Sequence, residues 1–296
     1  AMVANTSGTK NVAIGQAALD ANTSGSNIVA IGVDALGACT DGGGDNVAVG
    51  TEALAATNGT RNLAIGYRAL TAQSGSADNL AIGYDALVRQ TTGANGNIAI
   101  GNYAGRAVVS SASTSQLVAI GHNVASGSGA ALAGYQNVFV GYNIANTDSL
   151  AGAFMNTIVG GSAGSGLTTG DENVFIGYRA GTETQNNEGG GYNCFIGAKT
   201  RGTHPSHSQA IAIGHNIDAA PGQVALGTGA SGKVYNEFNT DNAWSQGSDR
   251  RLKKNINDST LGLEFINDLR PVTYQWKPSN ELPEEFYLHN EENQRD

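Results

Sequence analysis

The sequence is poor in proline, charge, aromatic rings and cysteine, and each shortage removes a class of protein. Only five of the 296 residues are Pro, none before Pro205, so the first two thirds of the chain keeps every backbone N–H for hydrogen bonding. Charged residues make up 14% and aromatic residues 6%, too few for an ordinary enzyme core or a basic groove. The net charge of −9 repels a phosphate backbone, so no nucleic acid is expected as a partner. No apolar run approaches the length of a membrane span, and no membrane insertion is expected. No signal peptide is visible, and Ala1-Met2 reads as an expression remnant ahead of a fragment. The only thiols are Cys39 and Cys194, too few for a disulfide scaffold. Cys39 sits in a Gly-rich loop and reads as free, whereas Cys194 reads as a small buried hydrophobe.

What the chain has in excess is glycine, 42 residues of it, and much of that glycine closes one phrase. Asn-Val-Ala-Ile-Gly at Asn11 to Gly15 is restated thirteen times, ending on Gly15, Gly32, Gly50, Gly66, Gly83, Gly101, Gly121, Gly141, Gly160, Gly177, Gly197, Gly214 and Gly227. The interval wanders from 13 to 20 residues while the phrase holds. A fixed strand joined by elastic loops is the signature of a stacked repeat. The residue before each Gly is Ile, Val or Leu without exception, and its period-2 partner is nearly always aliphatic. These two seats share one strand face and form an aliphatic ridge when coil stacks on coil. The seat between them, usually Ala and later Phe139, Phe175 and Phe195, points the other way. Both faces are therefore apolar: one can fill the coil and the other can meet a neighbouring chain, and the pattern does not say which. An aspartate at Ile100 is expected to abolish folding, because it would bury an unpaired charge in the ridge. Asn11, Asn46, Asn62, Asn79, Asn97, Asn137, Asn156, Asn173 and Asn193 open the phrase and are expected to hydrogen-bond up and down the stack.

The sequence therefore predicts an all-β fold: a parallel β-roll or β-solenoid of about thirteen coils, ~60 Å long at the spacing of sheet strands. A lead-in covers residues 1–10, the repeats 11–230 and a connecting stalk 231–247. At 248 the composition breaks, with 17 charged residues in the last 49 against 24 in the first 247. Leu263, Ile266 and Leu269 are spaced for a helix that stops before Pro271, and Val272 to Trp276 alternate as a strand should. Residues 248–296 thus read as an α+β segment inside which the chain ends.

Weaker constellations have plainer readings. His204-Pro205-Ser206-His207 has metal-ligand spacing, yet a polar loop favours solvent-facing imidazoles. Asp41-Gly42-Gly43-Gly44-Asp45 and Glu188-Gly189-Gly190-Gly191 do not recur at a fixed period and read as ordinary loops. His122 and His215 follow the repeat Gly, in a seat shared with Tyr67, Tyr84, Tyr142 and Tyr178, and read as surface residues. No metal or cofactor is expected.

Two resemblances follow from these motifs. Ser248-Asp249-Arg250-Arg251-Leu252-Lys253-Lys254-Asn255-Ile256, with Gly262-Leu263 and Leu269-Arg270-Pro271-Val272-Thr273-Tyr274-Gln275-Trp276, resembles the start of the endosialidase-type C-terminal intramolecular chaperone. That family caps bacteriophage tail spikes and tail fibres, assists trimerisation and cuts itself off; its domain normally continues well beyond this length. The resemblance implies autocatalytic cleavage of Gly247-Ser248, with Ser248 as nucleophile and Lys253 as general base, while the plainer reading is an exposed basic segment. Five residues of spacing do not bring Ser248 and Lys253 to one helix face, so a turn or trimer packing must do it. The repeats resemble the YadA-like heads of trimeric autotransporter adhesins, a scaffold that fibres share. Together they imply a tail-fibre module of a virion that binds itself as a homotrimer and a host cell-surface carbohydrate or protein as receptor. A polysaccharide depolymerase tail spike, an adhesin head and a passive structural spacer are the alternatives.

Overall fold

The computed structural model describes residues 1–246 except 41–42, 57, 73–74, 91–92, 107–115, 128–133, 147–151, 183–189, 205, 207, 230 and 238–244. Among the described residues there is no helix, and hence none long and apolar enough to cross a membrane. The chain divides into two compact units, Ala1–Ser248 and Asp249–Asp296. The second unit, with the helix and strand expected there, lies outside the described residues.

Every copy of the phrase becomes a strand. The first eleven are β1 (Val12–Ile14), β2 (Val29–Ile31), β3 (Val47–Val49), β4 (Leu63–Ile65), β5 (Leu80–Ile82), β6 (Ile98–Ile100), β7 (Val118–Ile120), β8 (Val138–Tyr142), β9 (Thr157–Gly161), β10 (Val174–Ile176) and β11 (Cys194–Ile196). They stack in sequence order, parallel and in register, so that Ala81 pairs with Ala99 and Ile82 with Ile100. After β12 (Arg201–Gly202) come β13 (Ile211–His215), β14 (Asp218–Ala219) and β15 (Gln223–Thr228). The last two phrases, in β13 and β15, extend the sheet, while β12 and β14 form a short parallel pair of their own. The regular solenoid amounts to about eleven turns, fewer than the thirteen phrases suggest, because the closing phrases run into this altered end.

The sequence placed residues 231–247 in a stalk. Within that stretch β16 (Gly232–Glu237) folds back antiparallel on β15, and β17 (Ser245–Gln246) pairs with β16. Reversal at Gly232 gives β15 a partner along an edge that would otherwise expose unpaired backbone groups. Tyr235 packs against the core beside it.

The middle seat of the phrase, not the ridge, fills the coil. Ala30, Ala48, Ala64, Ala81 and Ala99 are fully buried, as are Phe139 and Phe175, whereas the flanking Val and Ile seats are half-buried or exposed. The reason is volume. In the early coils the small Ala faces a buried Leu four residues past the Gly: Leu36, Leu54, Leu70 and Leu87. Where Phe175 replaces Ala, that seat becomes Gly181, whose added Cβ would overlap the Phe175 ring, and Ile158 faces Gly164 in the same way. In these coils a large side chain on one wall faces a small one on the other.

The corner glycine is fixed by two demands. Gly50 has φ of +135°, and a Cβ there would lie 2.5 Å from the carbonyl oxygen of Gly66 in the next coil, so neither the conformation nor the space admits another residue. Left-handed backbone also recurs at non-glycine positions, including Arg68 and Leu70 after the Gly and Arg61 before the strand. Stacking holds them there despite about 1–2 kcal/mol each of local strain.

The asparagine ladder forms as expected. The Oδ1 of Asn62 accepts the backbone N–H of Asn79 at 3.0 Å, and the Oδ1 of Asn79 accepts that of Asn97 at 2.9 Å. The amide of Asn62 donates to the carbonyl of Ser76 and that of Asn79 to the carbonyl of Ala94. Each Asn therefore ties the strand entry of the next coil and holds its preceding loop. Where the column carries Leu117 or Ala210, the Asn of the coil before still bonds the backbone N–H.

Candidate functional site

The most distinctive surface of the described residues is the outer face of the long sheet. Val12, Ile14, Ile65, Ile176 and Ile213 are exposed hydrophobics on it, Ile14 at 58%, and the remaining Val, Leu and Ile of these seats are half-buried. In-register stacking turns two seats per strand into two unbroken aliphatic columns, with only Thr157 and Cys194 departing from Val, Leu or Ile. A soluble chain rarely leaves so continuous an apolar strip in water. The two columns carry no charge, and their one titratable group among the described residues is the Cys194 thiol; a shallow cleft at Val47, Leu63 and Leu80 is edged by Asp45, Arg61 and Asp78, so the chemistry of the columns themselves is that of an interface.

The two thiols exchange the roles read from sequence. Cys39 is the fully buried one; Cys194 is half-buried on the outer face, where desolvation pushes its thiol above the ordinary value. Neither forms a disulfide.

Ser248 and Lys253, and the Gly247-Ser248 bond between repeats and C-terminal segment, lie outside the described residues. His207, Asp41, Gly42, Glu188 and Gly189 do as well. His204 is exposed, as are His122 and His215, and no group of three or more His, Cys, Asp or Glu able to hold a metal occurs among the described residues. Phe139, Phe175 and Phe195, whose direction the sequence left open, face the coil core; the last two stack at 5.1 Å.

Sequence reasoning placed the seat after each repeat glycine at the surface but did not find that its rings join. There Tyr67, Tyr84, Tyr103, His122 and Tyr142 form one continuous file, each ring in contact with the next. The signal was present in the Tyr and His seat after the glycine, but Tyr103 stands one residue further on. A column count therefore misses it, although its ring joins the same row.

Compared with known families, residues 248–295 match the family model described as the chaperone of endosialidase. The match opens at Ser248. No curated protein and no solved structure matches the chain. The repeats therefore stand on their own geometry, and the family assignment applies to the C-terminal segment.

Proposed function

We propose that the chain is a homotrimeric fibre module of a bacteriophage tail that adheres to a host cell surface, matured by loss of a C-terminal chaperone at Gly247-Ser248. The observation that carries this reading is the aliphatic sheet face left open along thirteen strands, in a chain whose residues from Ser248 onward match a chaperone family. Three copies turned about one axis bury that face completely, and a cyclic arrangement uses the same surface in every subunit. Narrow coils with elastic loops make a rigid rod that repeats its surface three times, which multiplies weak contacts with a receptor.

In the cleavage step the Ser248 hydroxyl attacks the Gly247 carbonyl carbon, Lys253 accepts the hydroxyl proton and passes it to the Ser248 nitrogen, and the amide bond to that nitrogen breaks to leave an ester and a free amine. Water then hydrolyses the resulting ester and frees residues 1–247. Lysine serves as a base only when burial or neighbouring charge lowers its pKa enough to leave it neutral. Assembly of the trimer would supply that burial and so time the cut after folding.

The test is intact mass and light scattering on a precursor carrying the complete chaperone, with Ser248→Ala alongside. A trimer whose chains end at Gly247, together with an uncut Ser248→Ala chain, is expected. An uncut monomer in both samples would overturn the reading.

A further inference from the structure

Around the fourth to eighth phrases the aromatic file borders an open groove of about 640 Å³, lined by Tyr84, Asp85, Tyr103, Arg106, Asn123 and Asn146 among others. Its size falls within the usual range of ligand sites, about 300–1,000 Å³. Neighbouring rings along the file are 5.2 to 6.0 Å apart, one per coil. The file does not stack uniformly. Tyr67 and Tyr84 lie nearly parallel, whereas Tyr103 turns 69° from Tyr84 and 90° from His122. Tyr103 thus stands across the row at the groove, with the Arg106 guanidinium 5.5 Å from its centroid.

An independent observation points to a ligand. Asp85 is 5% exposed, and its Oδ1 has no hydrogen-bond partner. The nearest cation, Arg68, stands 3.9 Å away, close enough to offset charge but beyond hydrogen-bond reach. A buried carboxylate oxygen with open acceptor capacity is costly unless a donor arrives. Its charge pushes the Tyr84 phenol above its ordinary value. Asn146, which accepts from Ser126 at 2.8 Å, places a further amide at the groove.

We infer that this groove binds a saccharide chain running along the solenoid axis, with Asp85 accepting a sugar hydroxyl, Tyr103 and Tyr84 packing against pyranose rings, and Arg106 and the asparagine amides donating. The inference rests on the host-adhesion reading and names its receptor chemistry. Hydroxyl donors suit a carboxylate oxygen that accepts no hydrogen bond, and C–H faces suit aromatic rings. The spacing of one coil is commensurate with one sugar unit of an extended chain. A nucleic acid is disfavoured by Asp85 and the net charge, and an apolar peptide by the polar lining.

The full chain, fluorescently labelled, is titrated onto a panel of bacterial cells before and after mild periodate, which cleaves vicinal diols, and before and after protease. Adhesion abolished by periodate and kept after protease is expected. Tyr103→Ala, Arg106→Ala and Asp85→Ala should each weaken it about tenfold while mass and circular dichroism stay unchanged. Tyr192→Ala, at an exposed ring away from the groove, should leave adhesion as it is. If the buried Asp85 variant fails to fold, the two more accessible variants decide. Adhesion that survives periodate and is lost to protease would overturn the inference in favour of a protein receptor. Periodate-sensitive adhesion indifferent to all the groove variants would place the sugar elsewhere. Adhesion to no cell would reject the host-surface reading, and the groove assignment with it.

Discussion

The two faces of the long sheet are made from the same three-residue phrase, yet one is finished by the chain itself and the other is left open. Inward, Ala99 is fully buried; outward and one residue along, Ile100 is half-buried. The larger side chains lie on the outside, contrary to the usual order of a core, because the coil is too narrow to take an Ile at every level opposite a Leu. In the early coils small strand residues close the inner side, and the larger ones stand on the outer face.

The sharpest way to break this comparison is to place one charge on each face. Ala99→Asp buries an unpaired carboxylate in the coil and is expected to cost more than about 4 kcal/mol, seen as loss of the folded far-UV spectrum. Ile100→Asp, which the sequence suggested would abolish folding, is now expected to leave the coil folded. It should appear as a monomer by light scattering, because three carboxylates would meet at the proposed axis. An Ile100→Asp chain that unfolds as Ala99→Asp does would refute the assignment of faces.

The next effects test how the inner face is closed. Asn79→Ala removes the acceptor for the Asn97 N–H and leaves that buried donor unpaired, while the Ala94 carbonyl loses one of its two donors and keeps Gln90. A loss of about 2–4 kcal/mol in denaturant unfolding is expected. Ala64→Phe overfills a level already occupied by Leu70 and should cost about 1–3 kcal/mol. Adding Leu70→Gly recreates the Phe175 and Gly181 arrangement and should restore most of that loss. A double variant no better than the sum of its singles would show that the walls do not trade volume.

These comparisons also explain what could be read in advance. The strands, their parallel stacking and the Asn ladder were legible because each repeats as a column at fixed distance from a glycine. The assignment of faces was not, because Ala, Val and Ile are all apolar and period 2 distinguishes sides without naming them. The deciding signal was nevertheless in the sequence, in Phe175 with Gly181 and Ile158 with Gly164 against Ala64 with Leu70. It required comparing two seats rather than one. The left-handed conformation of Leu70 had no signal, since leucine does not favour it locally and only the stack enforces it. The groove at Asp85 was illegible for a different reason: its residues come from several coils and are neighbours only after stacking. Ser248 and Lys253 were named by resemblance alone, and the family match spans residues 248–295 without assigning either of them a role.

The smallest expected effect contrasts two acids on the loops that stack outside the sheet. Arg61 donates to Asp78 through Nε at 2.6 Å, and this hydrogen bond holds the Asp78 carboxyl below its ordinary value. Its contribution is therefore present above the ordinary carboxylate pKa and is lost as pH falls through the lowered value. Desolvation holds Asp171 above its ordinary value, against the bond it accepts from the Phe154 N–H. Its ionisation works against folding as pH rises through the carboxylate range. Asp78→Asn should accordingly be slightly less stable than the parent at neutral pH, and Asp171→Asn equal to or slightly more stable. Both differences should vanish in acid, and the first should also shrink with salt because the ion pair is exposed. Thermal unfolding of the two variants at neutral and acidic pH reads the sign directly. Equal signs would mean that the two carboxyls do not sit in the contrasting environments described.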